Sequence, residues 1–175
     1  MLEENKTSNL ENIQNLIKNV FEEKWDENFI FDSINERTIK YSEFFSEIVT
    51  FQKELEKKDL KPGDIICVLL NNSIECVKMY FTALFSNITI IPIDPEKGKM
   101  EISQIIDYVK PKLIIYDNLD YEFLVEKIQI NEINKETVQQ SKNNLIIINN
   151  IDIEKDFLIT FTSGSTGNPK GVVHS

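Results

Sequence analysis

The feature that most constrains the fold is an uninterrupted apolar run, Ile65 to Leu70, in which every side chain is hydrophobic. Such a run predicts a central strand of a parallel sheet, covered on both faces. Further strands are predicted at 88–92 and 112–116. Helices are predicted at 73–86 and 99–109, where apolar residues recur at spacings of three and four. This alternation predicts an α/β fold, layered, with a largely parallel sheet and helices on both faces.

The remaining segments extend this pattern towards both ends of the chain. Apolar periodicity and turn residues divide them into short strands and amphipathic helices. The predicted elements are helices at 9–25, around 44–55 and near Tyr121–Ile128, and strands at 28–32, 37–41, 145–148 and 156–162. Trp25 and the phenylalanines at helical spacing are predicted to belong to the core rather than to a substrate pocket.

Charge and cysteine content argue against several classes of function. The formal net charge of the 175 residues is −10, which disfavours a nucleic-acid or anionic-membrane partner. Cys67 and Cys76 do not form a CxxC pair, so a metal cluster or disulfide framework is not predicted, and both are expected to be buried. The N-terminus lacks the pattern of an export signal, and no apolar stretch is long enough to span a bilayer. We therefore expect a cytoplasmic protein.

A glycine-rich segment after the last predicted strand carries most of the chemical information. Its sequence, FTSGSTGNPKG, runs from Phe161 to Gly171. Its glycines permit positive φ and close backbone approach, so successive amides can form a concave anion site. Hydroxyl groups and a lysine can add charge-assisted hydrogen bonds of about 1.5–3 kcal/mol each. The predicted phosphate-binding residues are Thr162, Ser163, Gly164, Ser165, Thr166, Gly167 and Lys170, with Gly171 in the same conformational role as the other glycines.

Two other interpretations of this segment fit less well. The nucleotide P-loop GxxxxGK[ST] needs a glycine before its lysine and a hydroxyl residue after it, whereas Lys170 follows Pro169 and precedes Gly171. A flexible Ser/Gly-rich turn with an exposed lysine would have the same composition. Such a turn does not require a position directly after a strand, and that position favours phosphate binding.

The segment resembles the signature loop of the adenylate-forming (AMP-dependent synthetase/ligase) superfamily. That superfamily includes acyl-CoA synthetases, aryl-acid ligases, peptide-synthetase adenylation domains and luciferases. Two upstream segments, Ile39–Phe44 (IKYSEF) and Leu84–Asp94 (LFSNITIIPID), are similar to its first and second core motifs. Lys40 stands where a hydroxyl residue is usual and Asn87 where glycine is usual. Asparagine suits the left-handed residue that ends a helix, and both upstream motifs are predicted to be mainly structural.

The resemblance implies a two-step reaction that uses ATP with Mg²⁺. A carboxylate attacks the α-phosphorus of ATP, giving an acyl-adenylate and pyrophosphate. The thiol of coenzyme A or of a carrier-protein phosphopantetheine then takes the acyl group. The loop would hold the β- and γ-phosphates, with Thr166 and Lys170 contributing most. The family's nearby histidine falls after Ser175 by register, so the role of His174 stays open, and no catalytic residue or metal site is assigned to this chain.

The resemblance also implies a catalytic unit longer than this chain. Its adenine and ribose sites, most of its acid pocket and its C-terminal lid domain are expected to lie beyond Ser175. Residues 1–175 are therefore expected to be an incomplete N-terminal portion of the domain, inactive alone. The alternatives are a truncated non-catalytic remnant and one half of a split ligase completed by a second chain. Fatty, aryl and amino acids all remain open as substrates.

Overall fold

A computed structural model of the protein describes residues 2–33, 35–120, 122–133, 142, 144–145, 151–152, 154–162 and 170–174, with only the backbone for 2–12 and 162. Its helices are α1 (Leu2–Glu23), α2 (Tyr41–Lys57), α3 (Ile74–Ser86) and α4 (Lys99–Val109). Its strands are β1 (Asn28–Asp32), β2 (Arg37–Lys40), β3 (Ile65–Leu69), β4 (Thr89–Pro92), β5 (Leu113–Tyr116), β6 (Lys127–Gln129), β7 (Leu158–Thr162) and β8 (Lys170–His174). The predicted strand at 145–148 lies mostly outside the described residues. No helix within these ranges is long and apolar enough to cross a membrane.

Within the described residues, six strands form one sheet in the order β6-β5-β3-β4-β7-β8. The first five of these are parallel to one another, and β8 alone is antiparallel to its neighbour. β3 lies in the interior of the sheet, where Cys67 pairs with Ile91 on one side and with Ile114 on the other. The central position predicted from the apolar run is confirmed.

Alternate residues of β3 reach opposite faces of the sheet. Ile66 and Val68 belong to a core cluster that also contains Met79 of α3. Cys67 and Leu69 belong to a second cluster that contains Ile105 of α4. Both faces are thus covered by helices, as the layered α/β prediction requires. Complete burial of each large aliphatic side chain contributes about 1.5–3 kcal/mol to folding.

An aromatic cluster joins the N-terminal helices to the β1–β2 hairpin. Phe44 and Phe45 of α2 have no exposed surface, and Trp25 is buried beside them. The rings of Phe44 and Phe81 meet edge to face, with centroids 5.2 Å apart. Such pairs contribute about 0.5–1.5 kcal/mol beyond their buried area. The prediction that Trp25 belongs to the core is confirmed.

The predicted short helix near Tyr121–Ile128 is wrong. The chain instead forms strand β6, which extends the sheet beside β5, and Ile128 is buried next to Ile115. Leu124 is fully exposed, so the apolar residues here share no helical face. A strand of three residues is too short for its alternation to be distinguished from helical spacing in the sequence.

Asn87 ends α3 in the left-handed conformation, with φ 53°, as predicted. Its carbonyl oxygen accepts a hydrogen bond from the Gly63 N–H at 2.7 Å. Its side-chain Oδ1 accepts one from the Asp152 N–H, also at 2.7 Å. Asn87 therefore ties the end of α3 to the turn before β3 and to the chain that leads into β7.

We expect Asn87→Ala to lower the free energy of unfolding by about 2 kcal/mol. About half of this loss comes from left-handed backbone strain and half from the hydrogen bond to Asp152. Asn87→Gly removes only the hydrogen bond, so it should cost about 1 kcal/mol. Asn87→Asp keeps the acceptor and is the matched control. Urea titration monitored by circular dichroism measures all three. Equal losses for the alanine and glycine variants would contradict the strain argument.

Candidate functional site

Two described strands bracket the predicted phosphate-binding segment. β7 runs parallel to β4, so Thr162 lies at the carboxyl edge of the parallel sheet, where ligands of open α/β sheets bind. β8 returns antiparallel from Lys170, and the Cα atoms of Thr162 and Lys170 are paired. The joining residues, 163–169, lie outside the described residues. These include the predicted Ser163, Gly164, Ser165, Thr166 and Gly167.

Lys170 is an exposed residue at the first position of β8. It forms no ion pair with a carboxylate in the described part of the chain. Other lysines differ in this respect: Lys97 pairs with Glu101, and Lys112 lies 2.9 Å from a carboxylate oxygen of Asp64. The Lys170 ammonium can therefore bind an anionic ligand without first breaking an ion pair to a described carboxylate.

The backbone conformation of Gly171 differs from the predicted one. It lies in β8 without positive φ, whereas Gly63 is a described glycine that does have it, at 92°. A Cβ at Gly171 would lie 3.2 Å from Ile159 Cγ2 and 3.3 Å from Phe161 Cε1 and Cζ. These distances are below the usual optimum of about 3.5–4.0 Å for carbon contacts. Glycine here thus allows close approach between the strands, and its φ is not in the left-handed region.

Strand β8 itself is absent from the sequence-based prediction. Its five residues are all exposed, so no apolar face identifies it, and only the β-branched pair Val172–Val173 favours a strand. His174 lies at the other end of β8 from Lys170, about 14 Å away at the usual rise per residue. Its Nε2 lies 3.3 Å from Thr160 Oγ1, and its carbonyl accepts the Phe157 N–H at 3.0 Å.

Comparison with known proteins identifies the family. The model of the family described as AMP-binding enzyme matches residues 19–175. The chain belongs to the AMP-binding enzyme family.

The sequence identity to individual relatives is low. The chain is 27% identical to delta-poly-L-ornithine synthetase of Acinetobacter baumannii, over 79% of the chain and 10% of that protein. It is 28% identical to PKS-NRPS hybrid synthetase acdB of Aspergillus candidus, over 67% of the chain and 5% of that protein. The solved N-terminal subdomain of NpsA from Klebsiella oxytoca, in complex with 3-hydroxybenzoyl-AMSN, shares the fold, with a TM-score of 0.75 and 20% identity. The match covers 92% of the chain and 40% of the solved one. The chain thus spans less than half the length of these proteins.

The two upstream segments that resemble AMP-binding enzyme motifs place their large apolar side chains in or against the core. Ile39 and Phe44 are buried where β2 meets α2. The segment Leu84–Asp94 runs from the end of α3 through β4. Asp94 follows β4, and its Oδ1 accepts the Glu96 N–H at 2.9 Å, which stabilises the turn. These contacts support the prediction that both segments are mainly structural.

Both cysteines are buried, as predicted, and we expect them to be unreactive in the folded protein. Burial raises the pKa of the Cys67 thiol to about 12, and it also raises the pKa of Cys76. Because the thiolate is the reactive form, neither should react with a disulfide reagent at pH 8, and both should react in denaturant. A thiol titration with and without guanidinium measures this. Stoichiometric labelling of the native protein would contradict the burial.

In the described residues, no group of three or more His, Cys, Asp or Glu side chains could hold a metal ion.

Proposed function

We propose that this chain supplies the triphosphate-binding part of an enzyme that activates a carboxylic acid with ATP. The observation that carries this proposal is the pairing of Thr162 with Lys170 at the carboxyl edge of the parallel sheet. The motif residues 163–169 join these two positions. Membership of the AMP-binding enzyme family supports the same function. In this proposal, residues 1–175 form the N-terminal portion of a synthetase/ligase domain.

In the first half-reaction, the substrate carboxylate attacks the α-phosphorus of ATP, and pyrophosphate leaves. The chain's contribution is to bind and orient the β- and γ-phosphates. Lys170 and the hydroxyls of Thr162, Ser163, Ser165 and Thr166 are the proposed ligands, with amides of Gly164 and Gly167 beside them. Mg²⁺ enters with ATP and neutralises phosphate charge. Because negative charge accumulates on the departing pyrophosphate, a lysine at this position stabilises the transition state more than the ground state.

In the second half-reaction, a thiol replaces AMP on the acyl group. The relatives named as a delta-poly-L-ornithine synthetase and a PKS-NRPS (polyketide and nonribosomal peptide) hybrid favour an amino acid as the substrate. They also favour a carrier-protein phosphopantetheine as the thiol, with coenzyme A as the alternative acceptor. The cytoplasm, where these reactants occur, is the proposed location.

Product analysis tests this function. The protein purified from its native host is incubated with Mg-ATP and panels of amino, aryl and fatty acids, and AMP, ADP and pyrophosphate are quantified. We expect AMP and pyrophosphate in equal amounts, dependent on an amino acid. Formation of ADP and phosphate, or AMP formation independent of every acid, would overturn the proposal. If a second chain copurifies and is required for AMP formation, the protein is one half of a split ligase.

A further inference from the structure

An aromatic side chain covers a glycine at the base of the proposed phosphate site. The register of β7 and β8 places Phe161 directly opposite Gly171, one position before the Thr162–Lys170 pair. A Cβ on Gly171 would contact two carbon atoms of the Phe161 ring at 3.3 Å. The ring therefore lies over the glycine backbone. Cross-strand pairs of this kind stabilise an antiparallel pair and fix its register.

The Phe161 ring is held in turn by α4. Its centroid lies 6.2 Å from that of Tyr108, and the two rings meet at 84°. Phe161 also packs against the core cluster that contains Ile102 and Ile105 of α4. One face of the β7–β8 hairpin thus packs on helix α4, and this contact reaches β8 at Gly171, next to Lys170.

Besides the backbone pairing with β7 and the nearby Ile159 side chain, few contacts of the described side chains hold β8 at this end. All five of its residues are exposed, and the contacts of His174 with Thr160 and Phe157 lie at the other end of the strand. A slip of one residue in the pairing would turn Lys170 to the opposite face of the sheet. Register at the lysine therefore depends on the packing of its neighbour, Gly171.

We propose that Phe161 and Gly171 are positioning residues for Lys170, and that Tyr108 supports them. The pair holds β8 in the register that places the Lys170 ammonium at the phosphate site. This inference rests on the proposed function for the role of Lys170, whereas the pair itself can be tested without any ligand. It also explains in physical terms why this segment begins with an aromatic residue and ends with glycine.

A double-mutant cycle on ATP binding tests the positioning role. Lys170→Ala and Gly171→Ala should each raise the dissociation constant for Mg-ATP about tenfold, and the double variant should be no more than about twofold worse than either. The matched control is Gly98→Ala, because a Cβ there meets no atom within 4 Å. It should leave ATP binding unchanged. Independent, multiplicative effects of the two substitutions would overturn the positioning role, as would unchanged binding by Gly171→Ala.

Amide hydrogen exchange tests the pair without nucleotide. Phe161→Ala should increase exchange of the β8 amides at least about tenfold over the wild type, with exchange in β3 unchanged. Tyr108→Ala should give a smaller increase, and Tyr108→Phe should give none because it keeps the ring. Unchanged β8 exchange in Phe161→Ala would overturn the proposed pair. If the wild type binds no ATP but exchange responds as expected, the proposed function fails and the packing role of the pair stands.

Discussion

In the full-length protein, replacing Lys170 with alanine is expected to slow acid-dependent pyrophosphate release about 10²–10³-fold, the usual cost of losing one transition-state donor. The affinity for Mg-ATP should fall less, by about tenfold, because the ground-state triphosphate keeps its other ligands. The reason lies in the position of the lysine, which is exposed, opposite Thr162 and without a carboxylate partner among the described side chains. Steady-state rates of pyrophosphate release at varied ATP separate the two effects.

Lys155→Ala is the matched control for this variant. Lys155 is also an exposed lysine, and it lies on the segment before β7, away from the Thr162–Lys170 edge. The Lys155→Ala substitution removes the same charge from a chain of net charge −10, so a nonspecific electrostatic effect would appear in both variants. We expect its rate to equal the wild type. A normal rate for Lys170→Ala, or equal losses in the two lysine variants, would contradict the proposed role.

The second large effect is expected on stability, at a buried charge between α2 and α3. Lys78 is only 5% exposed, and its ammonium contacts a Glu47 carboxylate oxygen that is itself buried. Glu75 lies 3.6 Å from the same ammonium, and Arg37 lies 3.3 Å from the other oxygen of Glu47. The four side chains connect the β1–β2 hairpin to both helices.

Glu47→Ala should lower the free energy of unfolding by about 3 kcal/mol, because the Lys78 charge is left buried with only the half-exposed Glu75. Lys78→Met should cost only about 1 kcal/mol, since an unbranched apolar side chain fills the same space and Glu47 keeps Arg37. The double variant Glu47→Leu/Lys78→Met should be close to wild type in stability. Urea titrations at low and high salt measure these differences.

The relative stability losses of these variants show whether the ion pair or the uncompensated charge matters. If Lys78→Met were as destabilising as Glu47→Ala, the ion pair itself, rather than the uncompensated charge, would be the stabilising element. If Glu47→Ala cost less than about 0.5 kcal/mol, as at an ordinary surface position, the pair would contribute nothing to holding α2 against α3.

Sequence patterns predicted the parts of this fold whose burial is complete. The run Ile65–Leu70 identified the central strand because no polar residue interrupts it, and α4 was predicted with the bounds that it has. Strand β6 was not predicted because three residues are too few to show a periodic pattern. Strand β8 was not predicted because all five of its residues are exposed, so it has no alternation of apolar and polar positions. The burial of Lys78 could not be predicted either, because a lysine within a helical pattern is ordinarily at the surface.

For the proposed site too, the sequence predicts one part and only the structure provides the other. The motif residues, including Lys170, can be recognised from chemistry and spacing alone. The pairing of Lys170 with Thr162 and the contact between Gly171 and Phe161 depend on strand register, and register follows from packing across the whole sheet. Glycine in such a segment suggests a left-handed backbone, whereas at Gly171 the side chains of Phe161 and Ile159 leave little room for a Cβ atom.

The most direct test of the triphosphate-binding role is the affinity of the full-length protein for Mg-ATP relative to AMP, measured by isothermal titration in the wild type and in Lys170→Ala. A site for the β- and γ-phosphates should bind Mg-ATP at least about tenfold more tightly than AMP, and Lys170→Ala should remove most of that difference. Inorganic pyrophosphate should compete with ATP. Equal affinity for ATP and AMP in the wild type, or an undiminished ATP preference in Lys170→Ala, would contradict this role.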